Sequence, residues 1–336
     1  MSYIGVDLHT TQVTVCYLKS LEEYRFKQYR LDEIEIFLSS LKATDELAVE
    51  ATGNARWLVN LVSERVRRVV VVNPREFEVV KRSVKKTDKR DALNLARFLA
   101  VDMLPQVRVK SELAEAVSRI NETRNKLVGL KTSLLNKIHA LAVSRGWKLK
   151  KESLSSQKGL AKVMEYEWTA MEKLEMEIIG EQINALKQSI KRLDEAIGKF
   201  STELAGFENL ITVTGIGARS AGILLSVIGE VKDFETESKL ASYFGIVPRV
   251  SNSNERVQHG RITKRGNKMG RTTLVQCTLV AIRYSPYLKN YYEQVKQRRG
   301  HGKAKIAAAR KYLGIIYNTL KNNWVFEDFN NFVLAE

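Results

Sequence analysis

An apolar side chain recurs at alternating intervals of three and four residues through the middle of the chain, and this spacing limits the possible folds more than any other feature. The run comprises Met176, Ile179, Ile183, Leu186, Ile190, Leu193, Ile197 and Phe200. An earlier frame comprises Leu113, Val117, Ile120, Leu127, Leu134, Ile138 and Leu141, and Arg124 and Lys131 interrupt it. Helices with such seams bury them against one another. The two frames predict a coiled-coil hairpin or a dimerising arm, with the polar residues 148–159 as its loop.

The N-terminal third of the chain has the pattern of an α/β unit. β-rich runs separated by turn residues predict an antiparallel three-strand start, and a later, continuously apolar run is typical of a strand buried on both faces. The predicted strands are residues 3–7, 12–18, 23–30, 47–51 and 69–72. A helix predicted from about residue 88 to residue 101 is expected to pack through Leu93, Ala96, Leu99 and Ala100.

Four acidic residues fall where an RNase H-like fold would bring them into one cleft. Asp7 and Glu50 lie at the ends of two predicted strands, and Asp88 and Asp91 lie on one face of the helix that follows. Carboxylate oxygens are hard ligands that suit Mg²⁺, and two ions about 4 Å apart stabilise both the attacking and the leaving oxygen in phosphodiester chemistry. Each acid alone has an ordinary interpretation as a helix cap or a solvated strand end. Together they predict a two-ion Mg²⁺ site in which Mn²⁺ can substitute.

Basic residues outnumber acidic ones by 55 to 38, which gives a net charge of +17. They cluster at residues 81–97, 249–271 and 289–311, and this clustering favours DNA or RNA as a partner. No apolar run reaches the roughly 18 residues that span a bilayer, and the N-terminus predicts no signal peptide. Cys16 and Cys277 form neither a metal pattern nor a disulfide framework. We therefore expect a cytoplasmic, nucleoid-associated protein without a membrane partner.

Residues 210–225 resemble a helix-hairpin-helix element. Gly215 and Gly217 would form a turn that exposes backbone N–H groups at a helix N-terminus, where a phosphate can bind. An ordinary corner between two helices has the same pattern. Both interpretations stay open, and the basic surroundings favour nucleic-acid binding.

Several motifs resemble the DEDD transposases of the insertion sequence one-hundred-ten family, which includes pilin-gene inversion recombinases. They are GVDLH at 5–9, VEATG at 49–53, NPREFEVVKRSVKKTDKRDALNLARFL at 73–99, SKLASYFGIVPRV at 238–250, and GRITKRGN at 260–267 followed by Arg271. The resemblance covers both ends of the chain with a coiled coil between them. It implies an α/β plus all-α fold: an RNase H-like (RuvC-type) catalytic domain at 1–108, a coiled-coil arm at 109–204 and a mostly helical C-terminal transposase domain at 205–336.

The family also implies a catalytic serine in the C-terminal domain, usually followed by glycine. Ser253 falls on that position, Asn254 replaces the glycine, and Ser251 is the rival. Asn tolerates a left-handed backbone better than most residues, so a tight turn can survive the exchange. The implied chemistry is attack of the serine on DNA, which gives a covalent intermediate and a 3′-hydroxyl.

Nucleic-acid contacts are expected from basic side chains around both groups of catalytic residues, and from Asn267. The basic residues are Lys85, Lys86, Arg90, Arg249, Arg256, Arg261, Lys264, Arg265 and Arg271. The resemblance implies double-stranded donor and target DNA and a structured bridge non-coding RNA. The long seams and the need to cut two pairs of strands predict a homo-oligomer, a dimer alone and a tetramer in the synapse.

Other classes of function remain in view. A RuvC-like structure-specific endonuclease would use water and need no serine, and a pilin-type DNA invertase would need no guide RNA. A non-catalytic scaffold on an inactive RNase H-like fold would need none of the acids. An actin-like kinase is disfavoured because Leu8 and His9 stand where its phosphate loop needs a glycine.

Overall fold

The computed structural model describes residues 1–74, 76–77, 87–150, 154, 156–253 and 256–327; within 251–259 only the backbone of the described residues is considered. The chain divides into two compact units, Met1–Val109 and Lys110–Glu336, called here the α/β unit and the helical unit. The separation of a coiled-coil arm from a C-terminal domain within the helical unit stays a prediction.

A mixed sheet forms the centre of the α/β unit. Its strands are β1 (Tyr3–Leu8), β2 (Gln12–Leu18), β3 (Tyr24–Arg30), β4 (Glu46–Glu50) and β5 (Arg68–Val72). Their order across the sheet is β3-β2-β1-β4-β5. β1, β2 and β3 pair antiparallel, which confirms the antiparallel start, while β4 pairs parallel with both β1 and β5.

Helices cover both faces of this sheet because side chains alternate between its faces along each strand. They are α1 (Ile34–Ser39), which follows a 3-10 turn at Leu31–Glu33, α2 (Ala55–Val62) and α3 (Asp88–Ala100). Val6 and Leu47 belong to a core with Phe37 of α1 and Leu58 of α2. On the opposite face, α3 packs against β1, β2 and β4.

The packed side of α3 includes the predicted residues and two more. Ala96 and Leu99 are buried, and Leu93 and Ala100 are partly buried against the cluster that contains Ala96. Ala92 and Leu95 are also buried, and Ala92 lies close to β1 because Gly5 has no side chain and lets the helix backbone approach the strand. The face that carries two small alanines therefore lies towards the sheet.

Two long helices of the helical unit form the antiparallel hairpin that the seams predicted. The elements of this part, called here the arm, are α4 (Glu112–Ser144), α5 (Gln157–Met164) and α6 (Ala170–Ser201). Lys137 of α4 pairs with Glu175 of α6 at 3.2 Å, and Arg124 further back along α4 pairs with Asp194 further along α6. These pairs show that the two helices run in opposite directions.

The segment predicted as the loop of the arm contains more structure than expected. α5 begins within it, and Leu160 and Val163 pack with Ile138 of α4 and Met176 of α6 in a small apolar core. Trp147 contacts Tyr166 and Trp168 edge-on, with ring centroids 4.8 and 4.6 Å away. The far end of the arm therefore has its own packed centre.

The remaining part of the helical unit is mostly helical, with one two-stranded hairpin. Its elements are α7 (Phe207–Ile211), α8 (Ala218–Ile228), α9 (Glu237–Tyr243), β6 (Pro248–Ser253), β7 (Arg256–Ile262), α10 (Lys268–Tyr284), α11 (Pro286–Arg299) and α12 (His301–Lys321). Leu224, Leu274 and Leu313 share one apolar core with Val117 and Ile197 from the base of the arm. Among the described residues, no helix is both long enough and apolar enough to cross a membrane.

Candidate functional site

Asp7 and Glu50 lie beside each other at the ends of parallel strands. The register of β1 and β4 pairs Val6 with Val49, and each strand carries its acid in the next position. Because parallel strands end at the same edge of a sheet, the two carboxylates reach that edge together. The structure thus brings this pair of predicted residues to one place.

Asp88 and Asp91 lie in the first turn of α3, and Thr87 precedes them as the N-cap. The hydroxyl of Thr87 accepts a hydrogen bond from the backbone N–H of Arg90 at 3.4 Å. A Cβ atom added to Gly5 would lie 1.9 Å from the carbonyl oxygen of Ala92, so the helix and the strand meet backbone to backbone. This close packing fixes the start of α3, and both its acids, against the strand that carries Asp7.

His9 joins two of the acids, although it was not among the predicted site residues. Its Nε2 lies 3.3 Å from Oδ2 of Asp7 and 3.5 Å from Oδ1 of Asp88. Asp7, His9 and Asp88 each offer one ligand atom, and the three atoms lie within 4.8 Å of one another. The sequence contains no pattern for His9, because it is a single histidine in the turn after β1, which ends at Leu8.

Negative charge accumulates around the carboxylate of Asp7, and it is unfavourable without a cation to balance it. Burial raises the pKa of Asp7 above its ordinary value, nearby His9 opposes this, and the negative charges of Asp88, Asp91 and Glu50 raise the pKa further. The other three predicted acids therefore all act on the carboxylate of Asp7, and Asp91 is itself buried. Carboxylate oxygens and one imidazole nitrogen, converging where negative charge accumulates, form a donor set that fits a divalent cation.

The bases predicted beside these acids are described only in part. Arg90 lies in the first turn of α3 with an exposed side chain. Lys85 and Lys86 lie outside the described residues.

The segment that carries Ser253 is the β6–β7 hairpin. Ser253 is the last residue of β6 and pairs with Arg256, while Ser251 pairs with Gln258. Ser253 is thus a strand-end residue, and the two residues after it lie outside the described part. The side chains of Ser251, Ser253 and Arg256 lie outside the described part, so the choice between the serines stays a prediction.

The base of this hairpin is held by backbone contacts. Gly245 has a φ of +67° and Gly266 a φ of +125°; a Cβ atom would lie 2.2 Å from the carbonyl oxygen of Arg265 in the first case and 2.1 Å from that of Tyr243 in the second. The segments before β6 and after β7 therefore cross with no room for a side chain.

Two residues predicted to contact nucleic acid also support this base. Asn267 caps α10, because its Oδ1 accepts the backbone N–H of Gly270 at 2.9 Å, and Arg271 donates to the carbonyl oxygen of Phe244 at 3.1 Å. The other described bases of the segment are exposed: Arg249, Arg261, Lys264 and Arg265. These exposed cations lie at the base of the hairpin and just beyond it, and they make that end of the hairpin basic.

The two glycines of the predicted helix-hairpin-helix element have different environments. Gly215 has a φ of +93°, and a Cβ atom would lie 2.8 Å from the carbonyl oxygen of Cys277 in α10. Gly217 is exposed and is the N-cap of α8, without a side-chain cap for the N–H groups there. Gly215 thus allows helix packing, and a phosphate contact by either glycine stays a prediction.

Two models of known protein families match segments of this chain. A family model described as "Transposase", of the DEDD type named after IS110, matches residues 4–144 and so includes all four acids. The model of the "Transposase IS116/IS110/IS902 family" matches residues 207–293, which include Ser253. Together the two matched segments cover more than half of the chain.

Curated relatives agree with these matches. A probable family 20 transposase of Pseudomonas aeruginosa is 26% identical over 82% of this chain and 83% of its own length. A pilin gene-inverting protein of Moraxella lacunata is 26% identical over 97% of this chain and 98% of its own length. The transposase of insertion sequence element IS1111A from Coxiella burnetii is 26% identical over 70% of this chain and 66% of its own length. Site geometry, both family models and these relatives lead to one assignment: the chain belongs to the IS110 family of DEDD transposases.

Proposed function

We propose that this transposase cuts and rejoins DNA strands with an RNase H-like acid site and a serine nucleophile, Ser253. One observation supports the proposal most directly: the carboxylates of Asp7 and Asp88 lie close together, and the negative charges of Glu50 and Asp91 are near enough to raise the pKa of Asp7. The sheet order β3-β2-β1-β4-β5, with acids at the ends of β1 and β4, supports the RNase H-like assignment.

The proposed cofactor is Mg²⁺, as two ions held by Asp7, Glu50, Asp88 and Asp91, with Mn²⁺ as a substitute. When bound, such ions supply Lewis-acid stabilisation of the attacking and leaving oxygens. The protein contributes a rigid frame, since the contact of Gly5 with Ala92 fixes the helical acids against the strand that carries Asp7.

The proposed serine step is a phosphoryl transfer without loss of bond energy. The hydroxyl oxygen of Ser253 forms a bond to a backbone phosphorus, the bond from phosphorus to the 3′ oxygen breaks, and the hydroxyl proton is transferred so that a 3′-hydroxyl leaves. Exposed Arg249 and Arg261 lie in the two strands of the hairpin and Lys264 follows it, and in the proposal these cations offset the charge of the pentavalent phosphate. Attack by a 3′-hydroxyl on the serine ester reverses the step and joins strands.

The proposed partners are donor and target DNA and a bridge RNA. Clustered Lys and Arg residues supply affinity through phosphate contacts, and the uncapped N-terminus of α8 at Gly217 is a further proposed phosphate contact. Sequence readout is assigned to the RNA, and an inversion recombinase would work without one.

Assembly into a dimer, and a tetramer on two DNA duplexes, is part of the proposal. The arm exposes large apolar side chains on both long helices: Leu130, Val143, Met171, Leu174 and Ile178. Burial of such residues in a second copy would stabilise the dimer by about 25 cal/mol per Å² of apolar surface.

Trapping of the covalent intermediate tests the proposal. A DNA substrate with a nick beside the cleavage position lets the released strand diffuse away, so the adduct accumulates, and mass spectrometry identifies the modified residue. We expect an adduct on Ser253, none in Ser253→Ala, and an undiminished adduct in the matched control Ser251→Ala. An adduct on Ser251 would move the assignment, and cleavage by Ser253→Ala with no adduct would indicate hydrolysis by water.

The acid site is tested by Asp7→Asn. We expect loss of strand cleavage with DNA affinity retained, because phosphate contacts by Lys and Arg supply most of that affinity. Mixed oligomers of Asp7→Asn and Ser253→Ala subunits should regain activity if one catalytic site uses residues from two subunits. No recovery would assign the complete site to one subunit.

A further inference from the structure

His9 occupies a position that a solvent-exposed turn residue would not ordinarily take. Its side chain is 47% exposed, yet Nε2 lies within 3.5 Å of carboxylate oxygens from two different elements, Asp7 of β1 and Asp88 of α3. In the neutral tautomer with its proton on Nδ1, this nitrogen carries a lone pair that can bind a cation beside the two carboxylates.

The backbone of His9 is held from two sides. Its N–H donates to the carbonyl oxygen of Gln12 at 3.0 Å, which closes the turn between β1 and β2. Its carbonyl oxygen accepts Nδ2 of Asn54 at 3.0 Å, and Oδ1 of Asn54 accepts the hydroxyl of Thr52 at 3.0 Å. Asn54 therefore ties this turn to the loop that follows Glu50, so the imidazole is positioned by the elements that carry the acids.

We propose that His9 is an additional metal ligand, which makes one of the two ion positions a mixed imidazole–carboxylate site together with Asp7 and Asp88. This inference rests on the proposed metal site and adds a selectivity to it. Imidazole nitrogen is a softer donor than carboxylate oxygen and suits first-row transition ions better than Mg²⁺, although Mn²⁺ is the weakest binder among those ions. The position that contains His9 therefore binds Mn²⁺ and Co²⁺ more tightly than Mg²⁺, and this preference depends on His9.

Pulsed electron paramagnetic resonance of Mn²⁺ bound to the full-length, metal-depleted protein tests the ligand directly. We expect nitrogen coupling from a coordinated imidazole in the wild type, its loss in His9→Ala and His9→Gln, and its retention in Thr10→Ala. Thr10 lies in the same exposed turn and serves as the matched control. Circular dichroism of each variant reports whether the fold is intact.

Affinity supplies a second readout. Titration of free Mn²⁺ should show binding weakened by about tenfold or more in His9→Gln, the scale on which metal affinity responds to changes around a site. Competition by Mg²⁺ should become more effective, since its affinity depends on the carboxylates. Equal loss of affinity for both ions would overturn the proposed selectivity.

Asp7→Asn separates this inference from the proposed function. If Asp7→Asn abolishes Mn²⁺ binding and the wild type shows no nitrogen coupling, the acid site stands and the inference about His9 is wrong. If Asp7→Asn binds Mn²⁺ as the wild type does, the proposed metal site itself is wrong and the inference falls with it.

Discussion

The acid cluster and the arm are held together in opposite ways. At the cluster, β1 and α3 meet backbone to backbone, because Gly5 leaves no space between the strand and Ala92. Along the arm, α4 and α6 are kept apart by side chains, and where Arg124 interrupts the seam it pairs with Asp194, which also accepts Arg219. The hairpin that carries Ser253 follows the first pattern, with Gly245 and Gly266 at its base. Gly5, Gly245 and Gly266 therefore have no room for an added methyl group, while the glycines of the two long helices of the arm have room.

Replacement of Gly5 by Ala is the sharpest test of this comparison. The added Cβ would meet the carbonyl oxygen of Ala92, so we expect a loss of about 3 kcal/mol in the free energy of unfolding, the upper range for overpacking. Denaturation of Gly5→Ala measures it, with Gly53→Ala as the matched control because a Cβ there has no neighbour within 4 Å. Equal stability of the two variants would contradict the close-packing argument.

Trp147→Ala tests whether the far end of the arm depends on side-chain packing. Trp147 is half-buried between Tyr166 and Trp168, so we expect a loss of about 2 kcal/mol, less than for a fully buried aromatic residue. Hydrogen exchange of the amides in α5 measures the local effect. Trp324→Ala, at an exposed tryptophan, should leave exchange in α5 unchanged; unchanged exchange in both variants would show that the aromatic cluster contributes nothing.

Asp194→Asn tests the polar contact within the seam. Burial raises the pKa of Asp194, but the hydrogen bonds and charges of Arg124 and Arg219 outweigh this, so the pKa lies below its ordinary value of 3.8. A carboxylate whose pKa is lower in the folded than in the unfolded state stabilises the fold at any pH above its unfolded-state pKa. This stabilisation is lost as the pH falls through the folded-state pKa. We expect Asp194→Asn to cost about 1 kcal/mol near pH 7, after allowance for partial exposure.

Denaturation of the wild type and Asp194→Asn across pH measures the difference between them. It should be constant above pH 5 and shrink below pH 4. Glu195→Gln is the control, since Glu195 is exposed and pairs only loosely with Lys191 at 3.8 Å. A difference that grows as pH falls would reverse the assigned sign.

Gly129→Ala should give the smallest effect, in the opposite direction. Gly129 lies inside α4, and a Cβ there meets nothing within 4 Å. Alanine in a helix interior is more stable than glycine by about 0.5 to 1 kcal/mol, so we expect a gain of that size. A loss of stability, or a change in oligomeric state measured by light scattering, would contradict the expectation that this position has free space. Either result would indicate that another copy of the chain packs closely at Gly129.

Local patterns in the sequence were sufficient for much of the α/β unit. The alternation and apolar runs of β1 to β5 predicted the strands. The positions of Asp7 and Glu50 near the ends of β1 and β4 predicted that the two acids meet at one edge of the sheet. The packed side of α3 was predicted incompletely, because the close approach of Ala92 to the sheet depends on Gly5 in another element. A contact between backbones leaves no apolar signal to detect.

His9 and α5 were missed for related reasons. One histidine in a turn has no sequence pattern, and only the approach of Asp88 from α3 makes its position informative. Residues 148–159 have few apolar side chains and were therefore predicted as a polar loop. Leu154 among them packs with Ile138 and Met176, and these contacts between separate elements leave no local pattern in the sequence. Asn267 and Arg271 were predicted from charge and resemblance, whereas their bonds to Gly270 and Phe244 depend on the fold.

The arm also defines a molecular length scale. α4 has 33 residues, so at 1.5 Å per residue it extends about 50 Å, the rise of about 15 base pairs of duplex. Because the seam repeats every seven residues, the arm can be shortened or lengthened in register only by whole heptads in both long helices, in steps of about 10 Å. Each step equals the rise of about three base pairs, so the length of this element changes in discrete increments.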